Sequence, residues 1–351
     1  MGLMKALYRE LVGAATRFDR HASLRALITT ELYESPLDPN SRSRLPHIEA
    51  FNRCLLRYLG GRHFYLPDPQ RPTLLQLIRE EFHTKSKHTM DSDRLDTAFV
   101  ALRAFNDTLA ESKALELPPK TDWETRTIEG VQLAENVTSG VFLVAHPLLE
   151  GIFSRSVVLV TEHKVEGSKG FIVNKVSEKP LGRTFQVPSR VMRAFGTSTV
   201  RKGGPVFSKN AEVRWLSMYW KSLYSFNWKI DVCRDEQVLH GRADFGGQRV
   251  QTTNFPSAND PSLFVGVDLD AAARAIDDGN AKHTDVVFMS GVSAWSTGQL
   301  DTEVKQGSWI PMNAPVFLAL NAPAELWQDM MRTIGGEYAE MSGMPSMEEE
   351  E

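Results

Sequence analysis

The sequence predicts an α+β protein in which an N-terminal helical bundle is followed by a compact mixed α/β domain. Three observations carry that expectation. Through residues 4–116, apolar residues recur every three or four positions, the repeat of one helix face. After Gly140, short runs dense in Val, Ile and Phe take over, bounded by Gly, Asn, Asp and Ser. Between the two lies "LPPKTDWE", where the texture changes. The predicted division is a helical domain over 1–118, a linker over 119–130, an α/β domain over 131–345 and an acidic tail over 346–351.

The first helix places Met4, Leu7, Leu11, Ala14 and Phe18 on one side. Leu24, Leu27, Ile28 and Leu32 extend or follow it, until the proline-rich "SPLDPNSRSRLP" breaks the pattern. A helix over about 47–59 uses Ile48, Phe51, Leu55, Leu56 and Leu59, and Gly60-Gly61 ends it. Pro72 stands near the first turn of the next helix, where a missing N–H leaves no bond unmade. Leu74, Leu75, Ile78 and Phe82 form the apolar face of that helix. The last helix of this half, about 92–112, turns Leu95, Ala98, Phe99, Leu102, Phe105 and Leu109 inward.

In the second half, "GVFLVA", "SVVLVT", "GFIVN", "SLFVGV" and "DVVFMSG" read as strands. "LDAAARAIDDG", ended by Gly279, and "APAELWQDMMRTIGG", with Pro323 at its start and Gly335-Gly336 at its end, read as helices.

A net charge of −4 gives no global attraction to nucleic acid, but the charge is unevenly divided. Residues 1–120 carry 18 Lys/Arg against 15 Asp/Glu, and the remainder carries 22 against 29. The mildly basic first part suits an acidic protein partner. The two cysteines, Cys54 and Cys233, are far apart and outside any CxxC or Cys/His cluster. That spacing argues against a disulfide scaffold or structural zinc and fits a reducing compartment. No apolar run approaches the ~18 residues that span a bilayer, so no membrane span is expected. The first turns carry Lys5, Arg9 and Glu10, where a secretory signal needs an unbroken apolar core. The same amphipathic segment has the character of an uncleaved matrix-targeting signal, or is simply the first helix of the bundle.

Within that helix Leu7 faces inward, Tyr8 sits at the edge and Arg9 lies toward solvent. "ALYRELVGAATRF", "LLQLIREEFHTKSKH" and "DSDRLDTAFVALRAFNDTLAE" together resemble the LYR-motif family. Leu7, Tyr8, Arg9 and Phe18 match its first element, and Arg79, Glu81 and Phe82 its second; residues 22–71 expand the space between them. The resemblance implies a non-enzymatic mitochondrial matrix protein, a subunit or assembly factor of a large matrix-side complex such as a respiratory complex or the mitoribosome. It also implies binding of the mitochondrial acyl carrier protein, whose phosphopantetheine-linked acyl chain enters the bundle. Leu7, Leu11, Phe18, Ile78, Phe82 and Phe99 are expected to line a slot for that chain, with Tyr8 at its edge. Lys5, Arg9, Arg79, Lys85 and Lys87 are expected to form its basic rim. No other cofactor and no metal is expected.

The second half is similar to the AlgH/YqgE (DUF179) family over nearly all of 138–345, most specifically at Gly203-Gly204-Pro205, Gly298-Gln299-Leu300 and Ser308-Trp309. That family implies a compact α/β domain without established chemistry. Where its usual pattern reads "GYAGW", this chain reads "GVSAW". A different class of function is a small-molecule-responsive regulator or a cryptic hydrolase built on this half. His146, Ser154, Ser156, Glu162 and His163 cluster in sequence, but no G-x-S-x-G elbow accompanies them. Arg201-Lys202-Gly203-Gly204 lacks the P-loop and Rossmann spacings and reads as a tight turn. Trp215, Tyr219, Trp220, Tyr224 and Trp228 lie in an aromatic–basic stretch over 214–229. It reads as sheet core or protein interface, with ribosomal RNA stacking as the other possibility.

Overall fold

The structure is a computed structural model that describes residues 2–29, 55, 57–83, 91–114, 127–206, 237–250 and 262–346. Several expectations fall outside the described residues. They are most of the 47–59 helix, the proline-rich break, Lys85 and Lys87, the start of the linker, both cysteines, the 214–229 stretch and the end of the acidic tail.

Helices α1 (Gly2–Arg20) and α2 (Ala22–Ala26) follow one another across His21, whose extended backbone separates them. A helical turn at 57–59 ends at Gly60 and Gly61, both at positive φ as the sequence predicts. Helix α3 (Leu74–His83) starts on a reciprocal cap, in which Thr73 N–H donates to Gln76 Oε1 at 2.8 Å. Gln76 N–H returns a bond to Thr73 Oγ at 3.2 Å. Helix α4 (Asp91–Ala114) packs on α1, and the rings of Phe18 and Phe105 meet at 5.3 Å.

Among the described residues, the second half forms two six-stranded sheets. In the first, β1 (Gln132–Leu133), β12 (Trp309–Asn313), β2 (Phe142–Ala145), β3 (Val157–Lys164), β4 (Gly167–Ile172) and β11 (Ser293–Ser296) lie side by side, all antiparallel. The order strand, loop, strand, turn, strand predicted for the start of this half is realised as β2, β3 and β4. Asn174 follows that hairpin, buried, and its side chain accepts from Val157 N and donates to Arg155 O, both at 2.9 Å.

The second sheet runs β5 (Val176–Pro180), β6 (Thr199–Lys202), β10 (Val286–Ser290), β7 (Val238–His240), β9 (Phe264–Val265) and β8 (Gln248–Arg249). Among the described residues, only its β6–β10 pair is parallel. Short helices α5 (Leu181–Thr184) and α6 (Ser189–Phe195) join β5 to β6, and α7 (Leu269–Asp277) follows β9. Phe195, Val200, Val238, Phe245, Ala272 and Phe288 close the core of this layer. Helices α8 (Gln299–Lys305), α9 (Leu326–Ile334) and α10 (Gly336–Met341) are the last helices among the described residues.

The N-terminal half is joined to the sheets by packing, not only by the chain. Ala22, Ala26 and Leu27 of the α2 segment, together with Leu66, belong to the same apolar core as Phe142, Leu143, Trp309 and Trp327. At its border Arg25 lies 2.7 Å from Glu337, and the Tyr65 hydroxyl donates to Glu337 at 2.8 Å.

Candidate functional site

Tyr8 and Phe82 meet at the edge of the bundle with ring centroids 5.0 Å apart, which joins α1 to α3 beside the basic residues that the sequence singles out. Lys5 and Arg9 lie one turn apart on α1, and Arg79 lies one turn before Phe82 on α3. All three are exposed, and none is ion-paired with a described residue. Glu10 and Glu81 are exposed in the same helices, so the surface is mixed in charge.

The expected open slot is filled. Leu7, Leu11, Phe18 and Ile78 are buried against one another and against Leu74, Leu77, Ala98, Ala101 and Phe105. The small side chains of Ala14, Ala15, Ala98 and Ala101 let the helices approach closely enough for their own residues to occupy the interior. Phe82 is half-buried. Phe99 corrects the expectation: it faces outward with 47% of its surface exposed. Ala98, Ala101 and Phe105 hold the inward stripe of α4, and Phe99 lies about 100° around the helix from Ala98.

In the second half, the motif residues converge on one carboxylate. Glu303 Oε2 accepts from the indole N–H groups of Trp295 and Trp309, both at 2.8 Å. Gln299 Nε2 donates to Glu303 Oε1 at 2.9 Å, and Gln299 Oε1 accepts from Ser296 N at 3.0 Å. One acid thus ties α8 to β11 and β12. Gly203 and Gly204 press on the β10–β11 turn, where a Cβ on Gly203 would sit 2.3 Å from Gly291 O. Ser293 Oγ donates to Gly203 O at 3.2 Å. The glycines therefore serve backbone-to-backbone packing between sheets. Arg201, beside them, turns inward and donates to Val173 O, Ala319 O and Leu320 O at 2.6–2.9 Å. Burial pulls its pKa down to about 10.

A family model described as AlgH-like (DUF179) matches residues 142–339, the span that holds this network and nearly all of both sheets. The chain belongs to the AlgH-like DUF179 family. A UPF0301 protein of Chlamydia muridarum is 30% identical over 214 residues, covering 59% of this chain and 91% of its own. Another, from Chlamydia trachomatis, is 29% identical over 212 residues with the same coverage. Two solved structures are similar. The crystal structure of a Corynebacterium diphtheriae protein has a TM-score of 0.38 and 20% identity over 60% of this chain and 94% of that one. The solution structure of the AlgH protein from Pseudomonas aeruginosa has a TM-score of 0.36 and 18% identity over 56% and 87%. The family model covers none of the N-terminal helices.

In the AlgH-like part, the residues that suggested Ser–His–acid chemistry do not come together. His146 is fully buried; its Nδ1 accepts from Leu148 N at 3.2 Å, so its Nε2 carries the proton and donates to Tyr65 O at 3.0 Å. Burial pushes its pKa down to about 3. Ser154 Oγ meets Ser346 Oγ at 3.2 Å, and Ser156 Oγ is buried. His163 Nδ1 instead meets Ser168 Oγ at 2.7 Å, with Asp301 3.9 Å from Nε2. Ser168 is a buried ladder residue of β4 opposite Trp295, and no nucleophile elbow presents its hydroxyl. Sequence reading missed Ser168 and Asp301 because each lies on a different element from His163's strand.

A cavity of about 580 Å³ opens in the second layer, lined by Gln186, Val187, Pro188, Gly246, Gly247 and the 267–270 segment. Among the described residues, no group of three His, Cys, Asp or Glu is placed to hold a metal ion. No described helix is long and apolar enough to cross a membrane.

Proposed function

We propose that the protein is a non-enzymatic adaptor of the mitochondrial matrix. Its N-terminal helices bind an acylated acyl carrier protein, and its AlgH-like domain attaches that pair to a large complex as accessory subunit or assembly factor. The observation that supports this reading is the Tyr8–Phe82 contact bordered by Lys5, Arg9 and Arg79, cations left open to an acidic protein surface. Such charges accelerate encounter and fix register more than they add affinity. Because Leu7, Leu11, Phe18 and Ile78 already fill the interior, α3 must give way at Phe82 for an acyl chain to enter. Burial of the chain, about 0.8 kcal/mol per CH₂, would drive that opening.

Native purification followed by intact mass of every retained polypeptide tests the reading. A small acidic protein bearing phosphopantetheine is expected with the wild type, and its loss is expected from the Arg9→Glu, Arg79→Glu double variant. Absence of the carrier from the wild type, or full retention by the double variant, overturns it.

A further inference from the structure

Residues 175–202 are strongly basic in a chain whose net charge is −4: they carry seven Lys and Arg against one acid, Glu178. The fold gathers them at the rim of the second sheet, where β5, α5, α6 and β6 follow in order and β5 is the edge strand. Lys202 N–H donates to Lys175 O at 2.8 Å at one end of this unit. Gly182 N–H donates to Gly196 O at 3.0 Å at the other. A Cβ on Gly182 would sit 2.7 Å from Met192 Sδ, so the contact of α5 with α6 has Arg183 and Arg193 as its chain neighbours. Two of the seven cations are engaged within the protein, Arg201 on three carbonyls and Arg190 on Asp277 of α7 at 3.1 Å. Lys175 is half-buried. Lys179, Arg183, Arg193 and Lys202 are exposed, and none is ion-paired with a described residue.

We infer that this β5–α5–α6–β6 rim is a docking surface for the backbone of double-helical RNA. Four open cations spread over a strand edge and two helices suit a repeating anion rather than one ionic group. Phe185 and Phe195, the aromatic residues of the unit, are both buried, so it offers no ring on which an unpaired base could stack. Val176 and Met192 are its exposed large apolar residues. They stand toward opposite ends of β5, about 13 Å of strand apart, and form no joined apolar patch of the kind that anchors a protein partner. The strand edge selects RNA. The side of β5 turned away from β6 pairs with no strand among the described residues. Backbone N–H and C=O groups there can meet 2′-hydroxyls, which both donate and accept. The wide, shallow minor groove of an RNA duplex displays those hydroxyls beside the phosphates that the cations would hold, whereas DNA offers the phosphates without them. The inference rests on the reading of the AlgH-like half as the part that attaches to a large complex, and names the chemistry it attaches to.

The test uses the purified full chain and a labelled RNA hairpin of about 16 base pairs. Fluorescence anisotropy is expected to show binding with a log–log salt slope of about −3 to −4, the value for four phosphate contacts. The Arg183→Glu, Arg193→Glu double variant should bind about tenfold or more weakly at physiological salt. The Arg103→Glu, Lys113→Glu double variant of α4 changes the net charge equally, away from the rim, and should bind as wild type does. A DNA hairpin of the same sequence should bind more weakly than the RNA. Circular dichroism establishes folding, and Arg183→Gln, Arg193→Gln, which removes charge without reversing it, replaces the first variant if that one does not fold. No RNA binding by the wild type, or an equal loss in both double variants, overturns the inference. So does DNA binding as tight as RNA, or stronger competition by polyglutamate than by unlabelled RNA at equal charge, which would give the surface to an acidic protein. None of these outcomes involves the acyl carrier protein, whose absence from the native purification would overturn the adaptor reading separately.

Discussion

Asp19 holds the first amide of α3, at Leu74, although the two residues belong to different helices. Its carboxylate oxygens accept from Leu74 N and Leu75 N, both at 3.0 Å. Together with the Thr73–Gln76 exchange, this supplies partners for the opening amides of the helix and places negative charge at its positive end. The pairing fixes where α3 meets α1, and therefore where Phe82 meets Tyr8.

Replacing Asp19 with Ala should therefore destabilise the protein by about 1–2 kcal/mol, and Asp19→Asn by less, since Asn keeps one acceptor. Urea unfolding measures this as a lower midpoint at unchanged slope. Arg25 Nη1 donates to the Asp19 backbone carbonyl, a bond that both variants retain.

Glu303 predicts a larger effect. Glu303→Ala strips the acceptor from two indole N–H groups, Trp295 and Trp309, whose residues are almost fully buried. Bonds to a charged acceptor are worth about 1.5–3 kcal/mol each, so a loss of about 3 kcal/mol or more is expected. Glu303→Gln leaves one oxygen for the indoles and should lose far less. Near-ultraviolet circular dichroism would report the tryptophans directly; an unchanged spectrum in Glu303→Ala would show that packing alone holds them.

The junction between halves is held by both charge and packing, and these separate by mutation. Arg25 is mostly buried, pairs with Glu337 at 2.7 Å and lies 5.3 Å above the Tyr65 ring. Glu337 is 38% exposed, so solvent weakens the pair and Arg25→Met should lower stability by only about 1 kcal/mol. Hydrogen exchange should rise at α2 before it rises in the first sheet. If α2 stays protected, Ala22, Ala26 and Leu27 carry the junction by themselves.

The elements legible in the sequence were those with a strong repeat or strong punctuation. Leu7, Leu11 and Phe18 show α1, Gly60-Gly61 the end of the following turn, and the Val-rich runs β2, β3 and β10. Illegible were the strands that gain their place only by pairing: β5 and β7 are short and mixed in polarity, β8 is two polar residues, and no local signal marks them. Phe99 was misplaced because α4 is apolar over more than one stripe, which leaves its inward face undefined until α1 packs against it. Glu303 is not legible as an organiser because its two indoles, though six and eight residues away, stand on the two strands that flank its helix, and Arg201 because its three partners are backbone carbonyls distant in the chain. A motif such as Gly298-Gln299-Leu300 marks such a place without saying which neighbour it serves.

His146 makes stability depend on acid. In the folded chain burial holds its pKa at about 3, against an ordinary value of 6.5, and the nearby His63 adds in the same direction. Between those values the unfolded chain binds a proton that the folded chain excludes, so stability must fall as pH drops from about 6.5 toward 3. From pH 7 to 5 this one residue should account for a loss of about 2 kcal/mol, with little dependence on how far below 5 the folded value lies. His240, buried and bonded to Gly266 O at 2.7 Å, has its pKa lowered by burial and adds a loss of the same sign. Thermal midpoints of wild type and His146→Gln across this range isolate the effect. The variant should be less stable at pH 7, where it loses a fitted ring and its stack on Phe64, but should fall less steeply with acid. Parallel curves would mean that His146 takes up its proton in the folded state, which burial and its acceptance from Leu148 N at Nδ1 oppose, against the bond to Tyr65 O through Nε2, which favours the cation.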